Sequence, residues 1–125
     1  MLVVDANVLI ALANPNHVHH EAAAAVLDRD GELAIPALTL AEVMVLPAAA
    51  GELDSAMAQV DALGVVAYPL EVSDVRRLAA LRAETRLRMP DAVVLLLTLR
   101  HGATLATFDE RLARVARDLG VAVEP

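Results

Sequence analysis

The sequence predicts an α/β fold with one domain over residues 1–125: a parallel sheet of four or five strands flanked by helices as an α/β/α sandwich. Three observations predict it. Short apolar runs alternate with helical stretches along the whole chain, the order that builds parallel sheets. The runs are continuous in aliphatic residues, as in strands covered on both faces. The 125 residues suit one domain, and 58% of them are hydrophobic with a single Tyr and a single Phe, so small aliphatic side chains must pack helices closely on the sheet.

Each element follows in order. Leu2 to Val4 is a buried strand, and Asn7 to Leu12 is the helix after it, with Asp5 at the carboxyl end of the strand. Asn14-Pro15-Asn16 is a turn, and His17 to Asp30 reads as a helix closed by Gly31. Leu33 to Ile35 is a strand stopped by Pro36. Leu38 to about Ala50 is a helical block ended by Gly51, which Pro47 should kink or split. Glu52 to Leu63 is helical, Gly64 punctuates, and Val65 to Tyr68 is a strand stopped by Pro69. Ser73 caps a helix reaching Leu87, and Asp91 to Arg100 forms a nearly apolar helix ended by His101-Gly102. Ala103 to Ala106 is a strand, Asp109 to Leu119 a helix closed by Gly120, and Val121 to Val123 a last strand.

Composition narrows the chemistry. Cysteine is absent, which excludes disulfides, thiolate catalysis and Cys-type zinc sites, so any metal must be held by oxygen or imidazole. No apolar run approaches the roughly 18 residues of a membrane span and no cleavable leader opens the chain, so a cytoplasmic protein is expected. The formal net charge is −7, which argues against nucleic-acid binding by broad electrostatic attraction. All ten basic residues are nevertheless Arg, and Arg76, Arg77, Arg82, Arg86 and Arg88 fall in one segment. The planar guanidinium fork suits phosphate, and Arg82, Arg86 and Arg88 are the substrate-binding candidates; a solvated helix face, shared by Arg82 and Arg86, is the plainer account.

Four acids stand in apolar surroundings at helix starts: Asp5, Glu42, Asp91 and Asp109. Each has a structural explanation. Asp5 can cap a helix, Thr39 to Glu42 and Thr107 to Glu110 fit capping boxes, and Asp91 follows Pro90 in a first turn. The set carries more weight than its members. Asp5 and Asp109 follow strands directly, so right-handed crossovers place both at the sheet edge where parallel α/β folds bind ligands. If Glu42 and Asp91 project there too, the crowding is severe: two carboxylates about 4 Å apart repel by roughly 4 kcal/mol at an effective dielectric near 20. Four must take up protons or recruit a cation, and oxygen ligands point to Mg2+ or Mn2+ and to phosphoryl chemistry.

VVDANVLIAL, the TLAEV block, MPDAVVLLL and LATFDERL, in that order and over nearly the whole chain, resemble a PIN domain, in particular the compact VapC-like toxins of toxin–antitoxin operons. The resemblance implies that Asp5, Glu42, Asp91 and Asp109 form the family's acidic quartet, both catalytic and metal-holding, with Asn7 and Thr107 as supporting polar positions. It implies a Mg2+- or Mn2+-dependent endoribonuclease that hydrolyses RNA with metal-activated water, leaving 3′-hydroxyl and 5′-phosphate ends. It also implies a homodimer inhibited by a cognate antitoxin protein whose tail covers the acidic site. Leu112 stands where the family often has an aromatic residue, a change in packing, and the net charge of −7 departs from what an RNA-binding surface calls for.

Two other classes compete. A phospho-aspartyl enzyme would use Asp5 as nucleophile but wants a second Asp at position 7, which is Asn, and a Lys, which the chain lacks. A catalytically silent PIN-like module would bind RNA or protein without cutting. His17, His19 and His20 lack the i, i+4 spacing that grips one ion and read as a solvated first turn. Met44, Met57 and Met89 read as core or interface filler. The aliphatic surplus of Leu38 to Ala50 suggests a dimerisation patch.

Overall fold

In the computed structural model, which describes all 125 residues, five strands alternate with eight helices: β1 (Leu2–Val4), α1 (Ala6–Ala13), α2 (His20–Leu27), β2 (Leu33–Pro36), α3 (Ala37–Val43), α4 (Val45–Ala49), α5 (Leu53–Ala62), β3 (Val65–Tyr68), α6 (Val75–Thr85), α7 (Met89–His101), β4 (Thr104–Ala106), α8 (Glu110–Asp118) and β5 (Val123–Glu124). The strands form one sheet in the order β3-β2-β1-β4-β5, and every pairing is parallel. The expected α/β architecture is present with five strands.

The two-residue side-chain period of the strands divides the interior into two cores. Leu2, Val4, Leu33 and Ile35 face a cluster completed by α1, α2, α3 and α5. Val3, Ala34 and Leu105 face the opposite cluster, filled by α6, α7 and α8. The sheet is therefore sandwiched between helical layers. Residues Ala92 to Thr98 of α7 are all buried, which explains the absence of an amphipathic stripe in that helix. No helix is long and apolar enough to cross a membrane.

Several boundaries differ from the sequence expectation, for physical reasons. The helix expected from His17 begins at His20; His17 to His19 form turns, and all three histidines are half-buried, not solvated. The Leu38 to Ala50 block splits at Met44, which leaves Pro47 in the first turn of α4, where a missing N–H costs nothing. Thr39 is not a cap: α3 starts at Ala37 after Pro36, and Thr39 is buried inside it. Ser73 does not cap either. A 3-10 turn over Val72–Asp74 precedes α6, with Glu71 and Asp74 bonding each other's backbone N–H. Asp74 also accepts from Arg100 at 2.8 Å, tying the start of α6 to the end of α7. The last strand is Val123–Glu124, reached after Gly120 by an extended segment.

Arg86 ends α6 in the left-handed conformation, at φ 59°, and so shares no helical face with Arg82. Met44 is buried, Met57 half-buried and Met89 exposed. Leu38, Val45 and Leu46 are exposed, and Leu46 with Ile10 lines a groove of about 450 Å3 between α1, α4 and α5.

Truncating the fully buried Leu95 should test the α7 layer. Leu95→Ala is expected to cost roughly 2–5 kcal/mol, read as a lower urea midpoint at unchanged slope.

Candidate active site

The site is built at the carboxyl edge of the sheet, because each crossover helix runs back against its strands and so begins at that edge. Asp5 leaves β1 and is the N-cap of α1, its Oδ1 accepting from the Ala6 N–H at 2.8 Å. Asp109 leaves β4 and caps α8, its Oδ1 accepting from the Arg111 and Leu112 N–H groups at 2.9 and 3.1 Å. Asp91 lies in the first turn of α7. The expected Thr107–Glu110 box is thus replaced by a cap at Asp109, and the Thr107 hydroxyl is used elsewhere.

Thr107 Oγ1 donates to Asp5 Oδ2 at 2.7 Å and accepts from the Asp109 N–H at 3.0 Å. Asn7 Nδ2 donates to Asp5 Oδ2 at 3.2 Å and contacts Thr107 Oγ1 at 3.4 Å, while Asn7 Oδ1 accepts from the Phe108 N–H at 3.1 Å. Asp5 is only 7% exposed and Thr107 is buried. Neutral donors hold this carboxylate, so its negative charge is oriented without being cancelled.

The electrostatics follow. Burial pushes the Asp5 carboxyl above the ordinary aspartate value; Thr107 and Ala6 pull it down, and Asp91 and Asp109 add to the rise. Burial likewise raises Asp91, helped by Asp109 and opposed by Arg88 and Arg111. Asp5, Asp91 and Asp109 therefore act on one another as a single cluster.

Glu42 differs in its surroundings: it is exposed on α3, five residues beyond Ala37 and hence about 7.5 Å along the axis from the helix start, and it is not among the charges that shift the Asp5 and Asp91 carboxyls. No three His, Asp or Glu side chains close into a tight metal cage.

Of the arginines singled out, Arg88 Nε lies 3.8 Å from Asp91 Oδ2, Arg82 is exposed in the last turn of α6, and Arg86 presents its carbonyl to the site. That carbonyl accepts from Arg111 Nη2 at 3.1 Å. Arg111 escaped notice in the sequence because it lies outside the arginine-rich segment; its place two residues after Asp109, in the first turn of α8, was the available signal. His19, expected in a solvated first turn, instead stacks its ring on Phe108, the neighbour of Asp109.

A family model described as PIN domain matches residues 2–118. The chain belongs to the PIN domain family. No curated protein matches it. Among solved structures, this PIN domain is similar to a toxin–antitoxin complex from Klebsiella pneumoniae, at 24% identity over 87% of each chain and a TM-score of 0.76. It is similar over 100% of both chains to VapC20 of Mycobacterium tuberculosis, a sarcin–ricin-loop-cleaving toxin, at 17% identity and a TM-score of 0.78. The VapBC2 complex of Rickettsia felis, bound to a promoter DNA fragment, matches at 15% identity and a TM-score of 0.74, covering 98% of this chain and 96% of that one. At these identities the likeness is one of fold.

A pH dependence follows from the raised carboxyls. The folded PIN domain holds the Asp91 proton more tightly than the unfolded chain does. Stability therefore falls as pH rises from the ordinary value of 3.8 through the raised folded value, and above that window the ionised group opposes folding. In chelator, Asp91→Asn is expected to melt higher than wild type at neutral pH and to show a shallower fall across the window, measured by calorimetry.

Proposed function

We propose that this PIN domain is a Mg2+- or Mn2+-dependent endoribonuclease and the toxin of a toxin–antitoxin pair. The observation that carries the reading is the convergence of Asp5, Asp91 and Asp109 at the sheet edge, with Asp5 fixed by neutral donors and like charge left standing. Uncompensated carboxylates at a ligand-binding edge oppose folding, and a cation relieves them.

The donor set fits a hard divalent ion. Mg2+ keeps several waters and is bound through one or two carboxylates, so an open set of oxygens suits it better than a closed cage. Asp5, Asp91 and Asp109 would hold it, and Glu42 would approach from α3. Such an ion supplies positive charge that acidifies water and neutralises a phosphodiester.

The chain's own residues do the rest. Thr107 and Asn7 orient Asp5 and leave its charge intact. Arg88 and Arg111 offer guanidinium donors to phosphate beside Asp91, where the net charge of −7 would otherwise repel it; Arg82 and Arg86 extend that positive side. Hydrolysis joins the water oxygen to phosphorus, breaks the bond to the 3′ oxygen and returns a proton to it, giving 3′-hydroxyl and 5′-phosphate ends.

Partners follow from the same reading. Ile10, Leu46 and Leu63 are exposed aliphatics around one groove, a surface suited to a second polypeptide, either a cognate antitoxin or a second copy in a homodimer. The antitoxin is supported by the toxin–antitoxin complexes among the similar structures. The site of action is the cytoplasm, where RNA targets lie. A second reading, a silent RNA- or protein-binding module, is favoured by the exposure of Glu42, which is not among the charges acting on Asp5 and Asp91.

Purified protein incubated with a mixed RNA pool should cut it with Mg2+ or Mn2+ and stop in chelator. Asp5→Asn should lose at least the roughly 10- to 100-fold that outer-shell changes around a metal cost, and Thr107→Val, which strips a donor from Asp5, should fall within that range. Cleavage unaffected by chelator and by Asp5→Asn would refute the nuclease assignment; binding without cutting would favour the silent module.

A further inference from the structure

Beside the acidic cluster lies an array of rings that the nuclease reading does not use. Phe108, the single Phe of the chain, sits between Thr107 and Asp109, with its backbone N–H held by Asn7. It packs against the core on the β1 side of the sheet. The His19 ring stacks on it with centroids 4.3 Å apart and planes within 9°. His17 follows at 5.7 Å, tilted by 39°, and its Nδ1 accepts from the His19 N–H at 3.0 Å. All three rings stay partly open to solvent.

This arrangement is built and not incidental. Two turns hold His17 to His19 off the start of α2, and the next histidine, His20, is fixed through Nδ1 against the Ala11 carbonyl at 3.0 Å. The Asn7 side chain, which helps orient Asp5, also holds the backbone N–H of Phe108, so ring and carboxylate are tied through one residue.

We propose that His19, seated on Phe108, is the platform on which an unpaired nucleobase of the RNA stacks beside the acidic cluster. This rests on the nuclease reading. Imidazole and phenyl faces stack bases of any sequence, and only unpaired bases can leave their own stack to reach them. A chain of net charge −7 gains little from counterion release, and stacking supplies affinity that salt does not screen.

The test uses the full chain carrying Asp5→Asn, so that bound RNA stays intact, with a fluorescein-labelled short RNA pool as single strands or annealed to complements. Single strands should bind in preference to duplex. Adding His19→Ala should weaken single-strand binding roughly ten-fold, and His19→Phe should restore it. In the cleaving background most of the His19→Ala effect should fall on KM and little on kcat. Unchanged single-strand affinity in His19→Ala, or no rescue by His19→Phe in a folded variant, overturns the proposal. A strand carrying 2-aminopurine provides a measurement that needs no substitution at His19: its emission should be quenched on binding, and unaltered emission overturns stacking. If wild type cuts nothing while His19 still governs single-strand binding, the nuclease reading fails and the platform stands. If RNA is cut and His19→Ala behaves as wild type, the platform alone fails.

Discussion

The hydrogen bond from the Thr107 hydroxyl to the Asp5 carboxylate is the contact on which the site depends. It joins the ends of β1 and β4, adjacent strands whose backbones also meet where the Asp5 N–H bonds the Ala106 carbonyl at 2.9 Å. One hydroxyl thereby sets three things: the rotamer of Asp5, the reach of the loop that carries Phe108, and the start of α8 through the Asp109 N–H. Such a network is worth more in a buried setting than its bonds counted singly, since each polarises the next and each unmet partner would be costly. No buried side-chain polar atom is left without a partner.

Much of the fold was legible because the chain marks its own boundaries. Gly31, Gly64, Gly102 and Gly120 all adopt positive φ at turns, and Pro36 closes β2 where expected. Aliphatic runs declared the strands, and their alternation with helices declared the sheet. Misread stretches were those where a local pattern competed with a distant partner. Thr107 sits in a sequence shaped like a capping box, yet its hydroxyl serves a residue 102 positions away. The histidines lack any periodic signal, and the ring on which His19 stacks, Phe108, lies far along the chain. Ser73 is an ordinary helix cap by type, but Glu71 and Asp74 form the capping box of the turn before α6, and Arg100 reaches Asp74 from α7.

The candidate site was legible in residue type and only partly in geometry. Helix starts place Asp5, Asp91 and Asp109 together because parallel crossovers leave no other place for them. Glu42 is less determined: it lies near the far end of its short helix, and sequence alone fixes neither where α3 begins nor which way its sixth residue faces. Arg111 shows the converse. It carries no motif of its own, and only the loop around Arg86 gives its guanidinium a fixed position.

That loop has a further consequence. Arg86 adopts a left-handed backbone in which a side chain costs roughly 1–2 kcal/mol that glycine would not. Glycine there would relax the turn and preserve the carbonyl that anchors Arg111, and would delete a cation from a chain of net charge −7. Conformational ease and local charge thus pull in opposite directions at a single position, and this chain has settled on charge.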